Sequence, residues 1–328
     1  MTVKEIYFAG GCFWGVEHFF KGVDGVVEAT PGYANGSIEN PTYQQVYTDT
    51  TGFAETVRVR YRPDRVSLET LVRLFFASID PLSVNQQGHD IGTRYRSGVY
   101  YTDPADRPLL SSLFAEVAAS SVTKMPDFVT ECSKNGSSSA NKPVIVTELL
   151  PLRNFYPAEE YHQAYLDKNP GGYCHLPLKA FRYLRLYQDL RLLLGDEPDP
   201  IARMANTAAM IYERMKFFWV GFYRVEGEEL VLGPFQGPAA CFRIKYGKGV
   251  CGTAWQRGET VVVPDVEAFP GHIACSALSK SEIVVPVLSR HARPDRASVT
   301  AVLDIDSTEL ETFDRFDAAF LELIVALL

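Results

Sequence analysis

Apolar positions in the first half of the chain recur at two spacings. "KEIYFAGG" (4–11) reads as a short strand running into a turn, and "CFWGVEHFFKGV" (12–23) then sets apolar residues at helical spacing. "AETVRVRYRP" (54–63) alternates as a strand does, whereas "LETLVRLFFASI" (68–79) returns to helical periodicity and stops at "DP". "RSGVYYT" and "PVIVTELL" predict further strands, with the polar loop "SKNGSSSANKP" (133–143) between them. "PAEEYHQAYLDKNPGGYC" (157–174) predicts a helix closed by Pro and Gly, then a tail that carries Cys174.

Beyond Cys174 the character changes. "LKAFRYLRLYQDLRLLL" (178–194) predicts an amphipathic helix, and "GDEPDP" turns into a second, "IARMANTAAMIYERM" (201–215). Six strand-like runs follow: "FFWVGFYRV", "EELVLGPF", "ACFRIKY", "ETVVVPDV", "SEIVVPVL" and "SVTAVLDID". "FDRFDAAFLELIVALL" predicts a closing helix. No internal repeat is visible, so the halves are read as different domains, 1–176 and 177–328.

The length of 328 residues agrees with two domains. A net charge of −8 offers no basic stripe for nucleic acid, and no apolar run is long enough to span a bilayer. The start shows no secretory pattern, so a cytoplasmic location is expected, where thiols stay reduced unless they are in use. Six cysteines, Cys12, Cys132, Cys174, Cys241, Cys251 and Cys275, include no close pair of the zinc-binding kind. Redox chemistry or burial are the readings left for them.

Cys12 stands between two glycines and two rings at a helix start. A cysteine attacks as its thiolate, and a helix N-terminus favours that form. "GGCFWG" therefore suits an activated nucleophile with Phe13 and Trp14 as an apolar wall; taken alone, the stretch reads first as a buried structural cysteine. The wider pattern decides between them. "GGCFWGVE", "NPTYQQVYTDTTGFAETV", "QGHDIGTRYRSGVYY" and "FYPAEEYHQAYLDKNPGGYC", in that order, resemble the A-type methionine sulfoxide reductases over roughly residues 3–176.

That resemblance implies roles. Cys12 would attack the sulfoxide sulfur, and Glu55 would protonate the departing oxygen. Tyr43 and Tyr95 would hydrogen-bond that oxygen, Asp90 belongs to the same motif, and Phe13 and Trp14 would hold the S-methyl group. Cys174 would condense with the sulfenic acid on Cys12 to give a disulfide that thioredoxin reduces. Three positions depart from the usual pattern: Phe53 replaces His, Arg94 replaces Gln and His89 replaces Asn. Only one recycling cysteine lies in the tail, and Cys132 matches no catalytic motif.

In the second half, "GKGVCGTA" and "PGHIACSA" set two thiols beside small residues, though any one of the three cysteines there, taken alone, reads first as a buried sheet position. Strand alternation puts Asp304 and Asp306 on one face, and with Glu282 they suit a cation or a held proton. "ANTAAMIYERMKFFWVGFY", "LGPFQG", "GKGVCGTA", "VPDV", "PGHIACSALSKSEIVVP" and "LDIDS" resemble the GAF-domain free methionine-(R)-sulfoxide reductases, from about residue 179 onward. By that resemblance Cys275 is the nucleophile, Cys241 the main resolving thiol and Cys251 an additional or alternative one. Glu282, Asp304 and Asp306 would bind substrate polar groups or manage the proton, with Trp219 and Tyr223 as apolar wall. The histidines show no ligand spacing and are read as polar or packing residues, His272 beside Cys275 being the one to test.

The two resemblances imply an α+β fold: a mixed sheet flanked by helices, then a largely antiparallel GAF sheet. They imply a bifunctional reductase taking methionine S-sulfoxide, peptide-bound or free, in the first domain and free methionine R-sulfoxide in the second. No metal or other cofactor is called for, thioredoxin is the expected electron donor, and no nucleic acid or membrane is involved. The alternative is a reductase regulated by a ligand-sensing GAF domain.

Overall fold

Each half of the chain is built on its own six-stranded sheet. The computed structural model describes residues 2–119, 145–273, 276–289 and 299–328. The chain divides into two compact units, Met1–Phe181 and Arg182–Leu328. The loop 133–143 and Cys132 lie outside the described residues, as does Cys275.

The first unit runs β1 (Lys4–Gly10), α1 (Phe13–Lys21), β2 (Val26–Ala34), α2 (Tyr43–Tyr47), β3 (Ala54–Tyr61), α3 (Leu68–Ser78), β4 (Gln86–Gln87), β5 (Asp90–Ile91), β6 (Ser97–Tyr101), α4 (Arg107–Ala119), β7 (Glu148–Pro151), β8 (Phe155–Pro157) and α5 (Tyr165–Lys168). Its main sheet has the order β7-β6-β1-β3-β2-β8 and is mixed, because β6 and β7 pair in parallel while the other neighbours are antiparallel. β1 lies inside the sheet and is apolar on both faces. Phe8 stacks between Phe20 of α1 and Phe75 of α3, at ring separations of 4.6 and 4.7 Å. Tyr7 and Ala9 face the other way, with Ala34, Ala54 and Tyr100. Burying each such ring stabilises the fold by roughly 2 kcal/mol.

Sequence periodicity and structure part company in three places here. β2 is a nine-residue strand that Pro31 and Gly32 had hidden; pairing with β3 along nearly its whole length makes it one. The strand expected over "PVIVTELL" begins only at Glu148, where β6 offers a parallel partner. The helix expected from Pro157 is a series of turns and then the single turn α5. Ala164, just before α5, is left-handed at φ 52°, and its amide donates to Glu17 Oε1 of α1 at 2.8 Å. Trp14 stacks on Tyr165 at 3.7 Å, so contacts with α1 interrupt the helix.

The second unit contains nearly all of α6 (Leu178–Leu194), then α7 (Pro200–Met215), β9 (Trp219–Glu226), β10 (Glu229–Gln236), β11 (Arg243–Lys245), α8 (Gly249–Arg257), β12 (Val261–Val263), β13 (Ser281–Leu288), β14 (Val299–Ser307) and α9 (Arg315–Val325). Its sheet, ordered β11-β10-β9-β14-β13-β12, is antiparallel throughout. The helices start where their sequences provide caps. Asp199 accepts from the Ala202 amide ahead of Pro200, and Asp314 forms a capping box with Asp317. α8, which small residues and glycines obscured in the sequence, packs Val250, Ala254 and Trp255 into a core with Tyr223, Ile244 and Val302.

Phe53, the residue standing where His is usual, is fully buried and meets Tyr156 edge-on at 5.9 Å. Its ring lies over Gly36 so closely that a Cβ there would come within 2.1 Å of it. Gly36→Ala is therefore expected to cost about 2–4 kcal/mol by displacing a packed ring. Chemical denaturation measures this; a loss below about 0.5 kcal/mol would mean that the ring is free to move aside.

Candidate active sites

In the first unit, β1 and β3 run antiparallel, so the end of β1 lies beside the start of β3. This register brings Cys12, the residue ahead of α1, to Glu55. The Phe13 amide donates to Glu55 Oε2 at 3.0 Å. Glu55 is wholly removed from water, and that burial raises its pKa to about 8; the Phe13 bond and Arg94 oppose the rise. Its carboxyl is therefore mostly protonated at neutral pH.

The Cys12 thiol does not follow the expectation that a helix start would lower its pKa. Only 6% of the residue is exposed, and burial followed by the charge of Glu55 pushes the thiol well up. The Trp14 amide pulls the other way and loses. Desolvation of a full anion outweighs one helix-terminal hydrogen bond. The resting sulfur is thus a thiol beside a protonated acid.

Tyr43 and Tyr95 face the same place. The hydroxyl of each is pushed up by burial and then by Glu55, so both remain donors. Asp90, in the short β4–β5 hairpin, is raised by burial and hydrogen-bonds Tyr173. Cys174 adjoins these groups. A Cβ on Gly15 would lie 3.1 Å from Cys174 Sγ and 3.0 Å from His175 Nδ1, so the bare first turn of α1 is what lets the tail lie down. His175 Nε2 meets the Gly10 carbonyl at 2.9 Å and fastens that tail.

Three further residues shape this pocket; all lie in the tail motif 155–174, where the sequence assigned them no catalytic role. Trp14 Nε1 donates to Nδ1 of the buried His162, whose ring also packs on Phe13 and Tyr43 at 5.1 and 4.6 Å. His162, read as a packing residue, thus fixes the orientation of the indole. Glu159 accepts from the Tyr33 hydroxyl and the Tyr43 amide, both at 2.7 Å, and anchors the start of α2. Tyr165 closes the far side of Trp14.

In the second unit, the sheet face under α8 carries the acids. Glu282 of β13 lies directly opposite Asp306 of β14, and Asp304 is two residues back on the same face. Glu282 and Asp304 are pushed far above the ordinary carboxyl range by burial and by repulsion from their acidic neighbours. Asp306 rises to about 6 from burial, against a hydrogen bond from Ser279. Cys251 of α8 is free, buried, and 4.0 Å from Glu282 Oε1 through its sulfur. Its thiol is raised by burial and by Asp304. His272 Nε2 lies 3.8 Å from Glu282 Oε2.

These groups line a small cavity. Its neighbour, which shares Ser279, Asp304 and Asp306, is walled by Trp219 and Tyr223. Both rings also grip the loop that carries Cys241: Trp219 Nε1 donates to the Pro238 carbonyl at 3.0 Å and the Tyr223 hydroxyl to the Cys241 carbonyl at 3.1 Å. Cys241 is disulfide-bonded, whereas Cys12, Cys174 and Cys251 are free. Donor atoms of Cys251, Glu282 and Asp304 lie within 4.8 Å of one another.

Residues 4–189 match the peptide methionine sulfoxide reductase family. The chain belongs to that family. It is similar to the peptide methionine sulfoxide reductase MsrA of Clostridium acetobutylicum, at 46% identity over 180 residues that make up 55% of this chain and 99% of that protein. The Clostridium perfringens MsrA is 46% identical over 176 residues, 54% of this chain and 99% of its own. Residues 199–328 match the GAF domain. Among solved structures, the free methionine-R-sulfoxide reductase of Neisseria meningitidis with its substrate is 49% identical, covering 44% of this chain and 84% of that one at a TM-score of 0.42. Mxr1 of Saccharomyces cerevisiae in reduced form is 38% identical, covering 54% and 92% at a TM-score of 0.45.

The second unit buries three acids close together. Carboxyls whose folded pKa lies above the unfolded value stabilise the fold below that unfolded value, and the contribution is lost as pH rises through the folded one. The second unit is accordingly expected to weaken from about pH 4 upward, through the Asp306 transition near 6. Asp304→Asn removes one member of the repelling set. It is expected to flatten this dependence and raise the melting temperature by about 2–4 °C at pH 8, as followed by calorimetry. An unchanged pH profile would show that the acids do not repel as described.

Proposed function

We propose that this chain is a bifunctional methionine sulfoxide reductase, taking the S-epimer, peptide-bound or free, in its first unit and the R-epimer of free methionine in its second. The observation that carries the reading is the convergence of the Cys12 thiol, the protonated Glu55 and the two tyrosine hydroxyls at the start of α1. A thiol, a protonated acid and two neutral donors together suit attack on an electrophilic sulfur whose oxygen must be protonated as it leaves.

In the first unit, Phe13 and Trp14 hold the S-methyl group while Tyr43 and Tyr95 donate to the sulfoxide oxygen. The Cys12 sulfur attacks the sulfoxide sulfur, Glu55 gives its proton to the oxygen, and the thiol proton replaces the one given. Sulfur–oxygen cleavage passes hydroxyl to Cys12, so sulfoxide and thiol become thioether and sulfenic acid with no net proton change. The Cys174 thiol then attacks the sulfenic sulfur and releases water, leaving a disulfide. A dithiol donor of the thioredoxin type in the cytoplasm reduces it.

In the second unit, Cys275 acts as nucleophile, with Cys241 as its main resolving partner and Cys251 as an additional one. Glu282, Asp304 and Asp306 line the small enclosed pocket and bind polar groups of the free amino acid or manage the proton. Two epimers at sulfur require two such sites. Peptide-bound R-sulfoxide stays unreduced.

Separated epimers of free methionine sulfoxide, recycled by thioredoxin, test the assignment. Cys12→Ser is expected to abolish S-epimer reduction alone and Cys275→Ser R-epimer reduction alone, each by at least about 1,000-fold. R-epimer activity surviving in Cys275→Ser would reject that nucleophile, and an intact protein inert towards the R-epimer would make the second unit a ligand sensor. A second expectation concerns pH. The kcat/KM for the S-epimer should fall as pH rises through about 8, where Glu55 loses its proton. Glu55→Gln should remove that limb along with about 100-fold or more of the rate.

A further inference from the structure

Arg94 is the residue that departs from the usual Gln, and it is built into the first site rather than left at its rim. Only 7% of it is exposed. Nη1 pairs with Asp49 Oδ2 at 2.6 Å and donates to the Tyr47 carbonyl at 3.2 Å, while the Arg94 amide donates to Asp49 Oδ1 at 3.0 Å. The guanidinium lies over the rings of both Tyr47, at 4.2 Å, and Tyr95, at 4.5 Å. Thr93 Oγ1 adds a bond to Asp49 at 3.0 Å.

These contacts join two separate segments. One is α2 and the residues after it, which carry Tyr43, Tyr47 and Asp49; the other is the tight turn Thr93–Tyr95. Each brings one of the two tyrosines that face the sulfoxide oxygen. An uncharged amide at position 94 would lack the delocalised plane that stacks on two rings while pairing with a carboxylate. We propose that Arg94 is a positioning residue for this site: its Asp49-paired guanidinium locks the Tyr43-bearing helix to the Tyr95-bearing turn and supplies the positive charge that faces Glu55.

The charge has a direction that can be read. Glu55 accepts from the Phe13 amide and is coupled electrostatically to Cys12 ahead of α1, Tyr33 of β2, Tyr43 of α2, Asp49 after it, Asp90 of β5, and Arg94 and Tyr95 of the turn. Within that set Arg94 favours the ionised carboxylate, whereas Asp49 and Asp90 oppose it. Removing Arg94 or Asp49 therefore moves the Glu55 limb in opposite senses, although either change opens the same clamp.

The inference rests on the roles proposed above for Glu55, Tyr43 and Tyr95. The test measures kcat and KM for the S-epimer from pH 6 to 10 in the full chain and in R94Q, R94K and D49N. In R94Q kcat is expected to fall about tenfold with KM little changed, and the alkaline limb to move up by about 0.5 pH unit. D49N should lose similar rate while its limb moves down by a like amount. R94K keeps the charge without the planar fork, so its limb should stay in place and its rate should not recover. Full rate in R94K overturns the clamp, and limbs that stay fixed in both R94Q and D49N overturn the electrostatic role. Thermal unfolding identifies any variant that fails to fold; should R94Q do so, R94K and D49N decide. An intact chain unable to reduce the S-epimer would instead overturn the underlying assignment.

Discussion

Keeping carboxyl groups out of water is the constraint on which both halves depend. Glu55 in the first unit and Glu282 and Asp304 in the second lie on sheet strands beneath a helix, where the charged form is penalised and the proton is retained. A retained proton is what a departing oxygen needs. The two units meet this constraint differently. The first ties one acid to a backbone amide and balances Arg94 against Asp49 and Asp90 around it; the second crowds three together and accepts their repulsion.

The first site also shows why burial matters more to it than the helix terminus. A thiol at the start of α1 looks poised for ionisation, yet the same enclosure that protonates Glu55 holds the Cys12 proton. Under the proposed mechanism, reactivity comes from a coupled exchange, in which the acid gives a proton to oxygen and the thiol restores it. The arrangement never needs a full negative charge to persist in an apolar pocket, which would cost far more than a shared proton.

Rigid support surrounds both sites. His162, Glu159 and Tyr165 hold Trp14 and the start of α2, and Trp219 and Tyr223 grip the Cys241 loop by their polar edges. The Cys174 tail reaches Cys12 because Gly15 presents no side chain. In each case a tail or a loop carrying a thiol is anchored to the neighbouring elements by side-chain hydrogen bonds. This suits a cycle in which sulfur atoms must meet and separate.

Among the described residues no helix is long and apolar enough to cross a membrane. The sequence by itself determined the two-part organisation, the α+β class, most strands and the order of the motifs, because apolar periodicity and caps are local properties. It also placed Asp304 and Asp306 on one face, since alternation along a strand is local too. Only tertiary structure decided the rest. The proton of Cys12 depends on burial against Glu55, 43 residues away. Ala164 breaks a helix because Glu17 takes its amide, and Pro31 sits within a strand because β3 supplies the pairing. Arg94 reads in sequence as a lone departure and becomes a clamp only where folding brings Asp49 and Tyr47 beneath it. Pattern specifies which face of an element is buried; the energy of a buried charge depends on everything that surrounds it, and that is set by the fold.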